Sequence, residues 1–263
     1  INNVSKINEK LARIAKECAP RGKLIAGDIG PTGLFVEPFG KLEFEQAVKI
    51  FKEQARGLIK GGVDLFVIET MMDIQEARAA LIAIREISDL FTIVTMTFEK
   101  NGRTLGGTDP STAVVTLQSL GADAIGCNCS TGPHDMLPFI MDIKKLARVF
   151  VVAKPNAGMP EIKNGKTVYN MPAKEMASYA VKFASAGVNL IGGCCGTTPE
   201  HIAKIKQALK NKRPVLPLQN RLSALTSAQK TLILDKNKPL IVIGERINPT
   251  GKKNLQEEIK LLK

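Results

Sequence analysis

The chain has no tryptophan and only two tyrosines among its 263 residues. A surface for stacking nucleic-acid bases is therefore poorly supplied. No run of 18 or more apolar residues occurs, which leaves no candidate for a membrane-spanning helix. No Gly-x-Gly-x-x-Gly follows an apolar run, so the dinucleotide-binding fingerprint is missing. No secretory leader is read in INNVSKINEK, which is polar and opens on Ile instead of Met. An even set of cysteines is also lacking. The five are Cys18, Cys127, Cys129, Cys194 and Cys195. An odd, clustered set argues against a disulfide framework. It favours a reducing, cytoplasmic setting and metal or catalytic use.

Acidic residues are scarce in one region only. The net charge is +12, yet residues 201–263 hold 14 Lys and Arg against 4 Asp and Glu. The first 200 residues are close to balanced. A solvated basic face explains this better than a nucleic-acid groove, and no nucleic-acid or membrane partner is expected.

What is present is alternation. With 44% hydrophobic residues, the chain can fill one large core. Short apolar runs at 23–28, 64–69, 92–98, 123–127, 149–154 and 188–193 read as strands, with helical patterns between them. Residues 44–59 and 74–87 each put apolar side chains on one helical face. Residues 4–18 read as an opening helix. Pro199 stands at a first helical turn with Thr198 as its N-cap. Strand, helix, strand at this rhythm means parallel βαβ units.

Three segments resemble one another: GGVDLFVIET (61–70), LGADAIGCNC (120–129) and AGVNLIGGCC (186–195). Counted from Gly62, Gly121 and Gly187, a chemically active residue arrives seven or eight positions on in each. These are Glu69, Cys129, and the pair Cys194 and Cys195. The repeats lie 59 and 66 residues apart, about two βα units, so they read as alternate strands of one sheet. The ends of alternate strands converge at the C-terminal mouth of a closed barrel. The fold expected is α/β, a (β/α)8 TIM-type barrel that is incomplete. Six strands are visible and the first βαβ is missing.

Cys129, Cys194 and Cys195 can offer three thiolates to Zn²⁺, which prefers four tetrahedral ligands and sulfur at about 2.3 Å. Three protein ligands leave an open catalytic position. Cys127 or His134 as a fourth would close a structural site, and buried inert cysteines are the remaining alternative. An open zinc–thiolate site suits activation of a substrate thiol, because coordination deprotonates it. Asp28 in GDIGPTG, Glu69 at a strand end and Asn156 in KPNAGMP would line the same mouth. Asp109, before Pro110, reads as a helix cap.

GCNCS (126–130), KPNAGMP (154–160) and GGCCGTTPEH (192–201), in that order, resemble the zinc-dependent homocysteine S-methyltransferases over about residues 5–212. The resemblance implies Cys129, Cys194 and Cys195 as zinc ligands and catalytic centre, with Cys127 on a variable position. It implies homocysteine as substrate, with Glu69 near its amino group; Asp28 and Asn156, lining the same mouth, are expected as further binding residues. The segment IVIGERINPTG (241–251) looks like the first strand and loop of a pterin-binding barrel. That layout is similar to the cobalamin-dependent methionine synthase family, in which methylcobalamin carries a methyl group from methyltetrahydrofolate to zinc-bound homocysteine. On this reading residues 1–212 are a partial homocysteine barrel, 213–238 a linker and 239–263 the start of the pterin-binding domain, with Asn248 near the pterin. The cobalamin sits on another domain or chain, and the full-length partners are the methylcobalamin-binding and pterin-binding domains. A methyltransferase using a small donor such as S-methylmethionine, and a non-catalytic zinc scaffold, are the rival readings.

Overall fold

The three repeats become three copies of one joint. In the computed structural model, which describes residues 3–217, 223–235, 237, 239–242, 244 and 252–261, Gly62, Gly121 and Gly187 all take left-handed backbones, with φ of 86°, 93° and 87°. Each ends the turn after a helix, where a side chain would be strained. Two residues on, the repeat's polar residue pins the neighbouring strand. The Asp64 carboxylate accepts from Ile25 N at 2.7 Å, that of Asp123 from Thr92 N at 2.7 Å, and Asn189 Oδ1 from Val151 N at 2.9 Å. Each returns its own backbone N–H to the same residue's carbonyl, at 2.8, 3.0 and 2.9 Å. The Asp or Asn in the repeat is thus a clamp between strands.

The pinned strands form a six-stranded parallel sheet in the order β1-β2-β3-β4-β5-β8. These are β1 (Ala26–Ile29), β2 (Leu65–Met71), β3 (Thr92–Met96), β4 (Ala124–Asn128), β5 (Phe150–Lys154) and β8 (Leu190–Ile191). The repeats start β2, β4 and β8, which are alternate strands, as expected. The helices are α1 (Val4–Cys18), α2 (Phe44–Lys60), α3 (Ile74–Arg85), α4 (Pro110–Ser119), α5 (Pro133–Leu146), α6 (Ala173–Ser185), α7 (Pro199–Leu209) and α8 (Lys253–Leu261). All but α8 alternate with, or precede, the strands. This is the expected α/β architecture of an incomplete TIM-type barrel.

Apolar periodicity fixes the packing. Helix α2 buries Ala47, Val48, Phe51, Ala55 and Leu58. Helix α3 buries Ile74, Ala77, Leu81 and Ile84. They close over Phe66, Ile68 and Met71 of β2 in one core, each large side chain contributing about 1.5–3 kcal/mol by leaving water. The opposite face of the sheet is less covered. An apolar cleft of about 500 Å³ there is lined by Leu24, Leu65, Phe91, Ile93, Phe150 and Leu190. Among the described residues, β1 and β8 each have one strand neighbour only.

Two two-stranded sheets stand apart from the six-stranded one. β6 (Pro160–Lys163) and β7 (Lys166–Tyr169) turn at Asn164 and Gly165, both left-handed at φ 52° and 73°. Asn-Gly is a strong hairpin signal, and it lies in a stretch not read as strand from the sequence. β9 (Ser223–Thr226) and β10 (Thr231–Leu234) fall inside the expected linker, 213–238, which is therefore partly folded. Thr226 and Thr231 meet Thr116 and Thr112 of α4 at 3.0 Å each, and the Ala228 carbonyl accepts from Thr108 Oγ1 at 2.7 Å. The chain divides into two compact units, 1–233 and 234–263. In the second, α8 buries none of its residues. Asn248 lies outside the described residues.

Candidate metal and substrate site

The strand ends carry the chemistry because the backbone there is bent out of its alternation. Three non-glycine residues take left-handed conformations at the mouth of the sheet: Thr70 (φ 61°), Cys129 (60°) and Ser130 (57°). Each costs on the order of 1–3 kcal/mol, and such strain persists only where surrounding contacts enforce it. β2 shifts register between Ile68 and Met71, beside Thr70. β4 ends at Asn128, and the turn after it sends Cys129 away from the direction Cys127 follows.

Cys127 therefore stays in the core, 1% exposed, and burial pushes its thiol well above its ordinary range. It takes no part in the cysteine cluster, which corrects the possibility of Cys127 as a fourth ligand. His134 is excluded as well. It is an exposed side chain paired with Asp135 at 2.8 Å.

The other two cysteines arrive on the loop after β8. This loop is laced to the segment after β5. Gly192 N donates to Ala153 O at 3.0 Å, Cys194 N to Pro155 O at 2.8 Å, and Ala157 N to Cys195 O at 2.9 Å. Asn156, 3% exposed, accepts from Cys195 N at 3.1 Å through its side chain. Helix α7 then starts at Pro199. His201 Nδ1 accepts from Thr198 N at 3.3 Å, and its Nε2 meets the Met171 carbonyl at 2.9 Å. Thr198 is the N-cap expected, and His201 completes the cap from the third helical position.

The outcome is one cluster. The sulfurs of Cys129, Cys194 and Cys195 all lie within 4.8 Å of one another, and Cys129 and Cys195 are 3.8 Å apart. None is in a disulfide. A tetrahedral zinc with sulfurs at about 2.3 Å sets them about 3.8 Å apart, so the three fit the ion. No other group of three metal-binding side chains gathers this way among the described residues. Cys194 lies beside Cys129 in this cluster. The interaction between the two draws the Cys129 thiol down to about 7 and pushes the Cys194 thiol above its ordinary range.

Asp28 and Glu69 lie near the C-terminal ends of β1 and β2, with a cation the sequence reading overlooked. Lys154, the last residue of β5, forms an ion pair with Glu69, each side chain about one-quarter exposed. Loss of solvent pushes the Asp28 carboxyl up, Glu69 adds to this, and Lys154 opposes it. Lys154 also runs beside Gly192 of the cysteine loop. Asn128 was overlooked too, though it sits inside GCNC. Its side chain is wholly buried and reaches Cys194 Sγ at 3.6 Å. Asp109 caps α4 as expected, accepting from Thr112 N at 2.7 Å.

The sequence profile of the family described as homocysteine S-methyltransferase matches residues 1–209, on the elements that build this cluster. The chain belongs to the homocysteine S-methyltransferase family. Solved structures agree on the fold. The homocysteine methyltransferase MmuM from Escherichia coli in its apo form superposes with a TM-score of 0.61 at 22% identity, covering 78% of this chain and 74% of that one. Its metallated form gives 0.63 at 24%, covering 77% and 70%. A pyruvate carboxylase from Rhizobium etli shares the architecture more distantly, at a TM-score of 0.52 and 16% identity over 80% of this chain and 20% of that one. The methyltransferase also has no described helix long and apolar enough to cross a membrane.

Proposed function

We propose that Cys129, Cys194 and Cys195 hold a zinc ion with its fourth position open, and that homocysteine is methylated on sulfur there to give methionine. The observation that carries this is the spacing of three sulfurs, 3.8 Å between Cys129 and Cys195, with no fourth Cys, His, Asp or Glu in the cluster among the described residues. Zinc bound by three thiolates supplies a low-pKa site for a substrate thiol and keeps the bound sulfur nucleophilic. The chain's own residues do the rest. Asn156 fixes the Cys195 backbone. Asp28 and Glu69 take the substrate's ammonium. Lys154 Nζ already sits against Glu69 as an ammonium group does, which supports that role. The substrate sulfur forms a bond to the methyl carbon while the donor's bond to it breaks, and the electron pair leaves with the donor.

For the donor we favour methylcobalamin on another domain, recharged from methyltetrahydrofolate. The support is the sequence of residues 241–251, IVIGERINPTG. Residues 1–233 are then the homocysteine unit with its hairpin, residues from 234 open the pterin-binding domain, and Asn248 belongs to the pterin site. The test is zinc X-ray absorption on the purified chain, with and without homocysteine. A zinc shell that gains a sulfur, or exchanges a light atom for one, supports an open, thiol-activating site. A zinc with four protein ligands that ignores homocysteine overturns it.

A further inference from the structure

We infer that Asn128 is a positioning residue for the sulfur of Cys194, holding it through an amide N–H···S hydrogen bond; this rests on the zinc reading above. The orientation of the amide is fixed by its partners. Thr70 N lies 2.8 Å from Asn128 Oδ1, and a backbone N–H can only donate. Thr95 Oγ1 donates to the same oxygen at 2.7 Å. The carbonyl end therefore faces these two donors, and the NH₂ end must face the other way. There it finds two acceptors, Thr70 Oγ1 at 2.8 Å and Cys194 Sγ at 3.6 Å. Two lone pairs and two hydrogens are all used, in a side chain with no exposure. In such a place an unmade bond is costly, so the sulfur is part of a completed set.

The residue type follows from the task. Serine and threonine lack a second hydrogen, and aspartate has no hydrogen for the sulfur when ionised. The left-handed Thr70, at φ 61°, presents its N–H and its hydroxyl to the same amide. The strain at the end of β2 thus has a use: it aims Asn128. Thr97 holds the same residue by its backbone, donating to Asn128 O at 3.0 Å. An N–H directed at a metal-bound thiolate fixes its position and withdraws charge from it. Partners of this kind commonly change metal affinity by about 10–100-fold when replaced.

The test is zinc affinity by chelator competition at neutral pH, with the sulfur-to-cobalt charge-transfer band of the Co²⁺-loaded protein as a second readout. Asn128→Asp keeps both acceptor bonds and replaces the donor by a carboxylate oxygen. Metal loading turns the three cysteines into a thiolate centre of net negative charge, so a carboxylate beside Cys194 opposes it. We expect Asn128→Asp to bind zinc about 10–100-fold more weakly and to move the charge-transfer band to lower energy. Thr97→Val, which releases only the backbone, should keep both near wild type. If Asn128→Asp does not fold, Thr95→Val loosens the amide and should give a smaller change in the same direction. Unchanged affinity and band in the folded variant overturn the inference while leaving the zinc site standing. So does a Thr97→Val loss equal to that of Asn128→Asp. A wild-type chain that binds no zinc overturns both.

Discussion

Gly196 follows the paired cysteines, and the perturbation of choice is Gly196→Ala. Its backbone is left-handed at φ 76°, and an added Cβ would lie 2.3 Å from Tyr169 Cγ and 2.4 Å from Tyr169 Cβ. Two costs arise. The conformation alone costs about 1–2 kcal/mol for a residue with a Cβ. The overlap with the tyrosine at the end of β7 forces the hairpin or the cysteine loop to move, at about 1–3 kcal/mol. The sum is about 2–5 kcal/mol. At about 2–4 °C per kcal/mol for a unit of this size, the midpoint should fall by roughly 4–20 °C. The two costs separate in a double-mutant cycle followed by urea unfolding. Tyr169→Gly removes all the clashing atoms, so in that background Gly196→Ala should cost only the conformational part, about 1–2 kcal/mol. A cost equal in both backgrounds would refute the claim that the ring lies over Gly196. The glycines around the cysteines would then need another explanation.

Further outcomes follow from single contacts. Cys127→Ala should lose about 1 kcal/mol to a small cavity and still bind one zinc; loss of that equivalent by atomic emission would show Cys127 to be a ligand. Asp123→Ala strips the acceptor from the buried Thr92 N–H and from Arg85. It should cost about 1–3 kcal/mol, with Asp123→Asn costing less; equal urea midpoints for all three would remove the clamp. Burial raises the Glu76 carboxyl above its ordinary 4.5, against two hydrogen bonds from Thr32 that lower it. A raised folded value means its contribution is full below about 4.5 and is lost as pH rises through the folded value. Glu76→Gln should flatten that part of the stability–pH curve, and superimposable curves would contradict this.

The sequence settled what depends on neighbours in the chain. Apolar spacing decided the helix faces of α2 and α3, and the turn glycines with their Asp or Asn marked three equivalent joints. Because those joints start alternate strands, the convergence of Cys129, Cys194 and Cys195 was legible before any coordinates. The hairpin at Asn164 and Gly165 carried its own signal in two residues. The partners of Asn128 and Lys154 were not legible. Thr70, Thr95 and Cys194 come to Asn128 from 58, 33 and 66 residues away, and Glu69 comes to Lys154 from 85. No local pattern encodes such pairs. Only the tertiary structure decided that Cys127 faces the core while Cys129 faces the cluster, because a left-handed turn at the strand end breaks the alternation that two-residue spacing predicts.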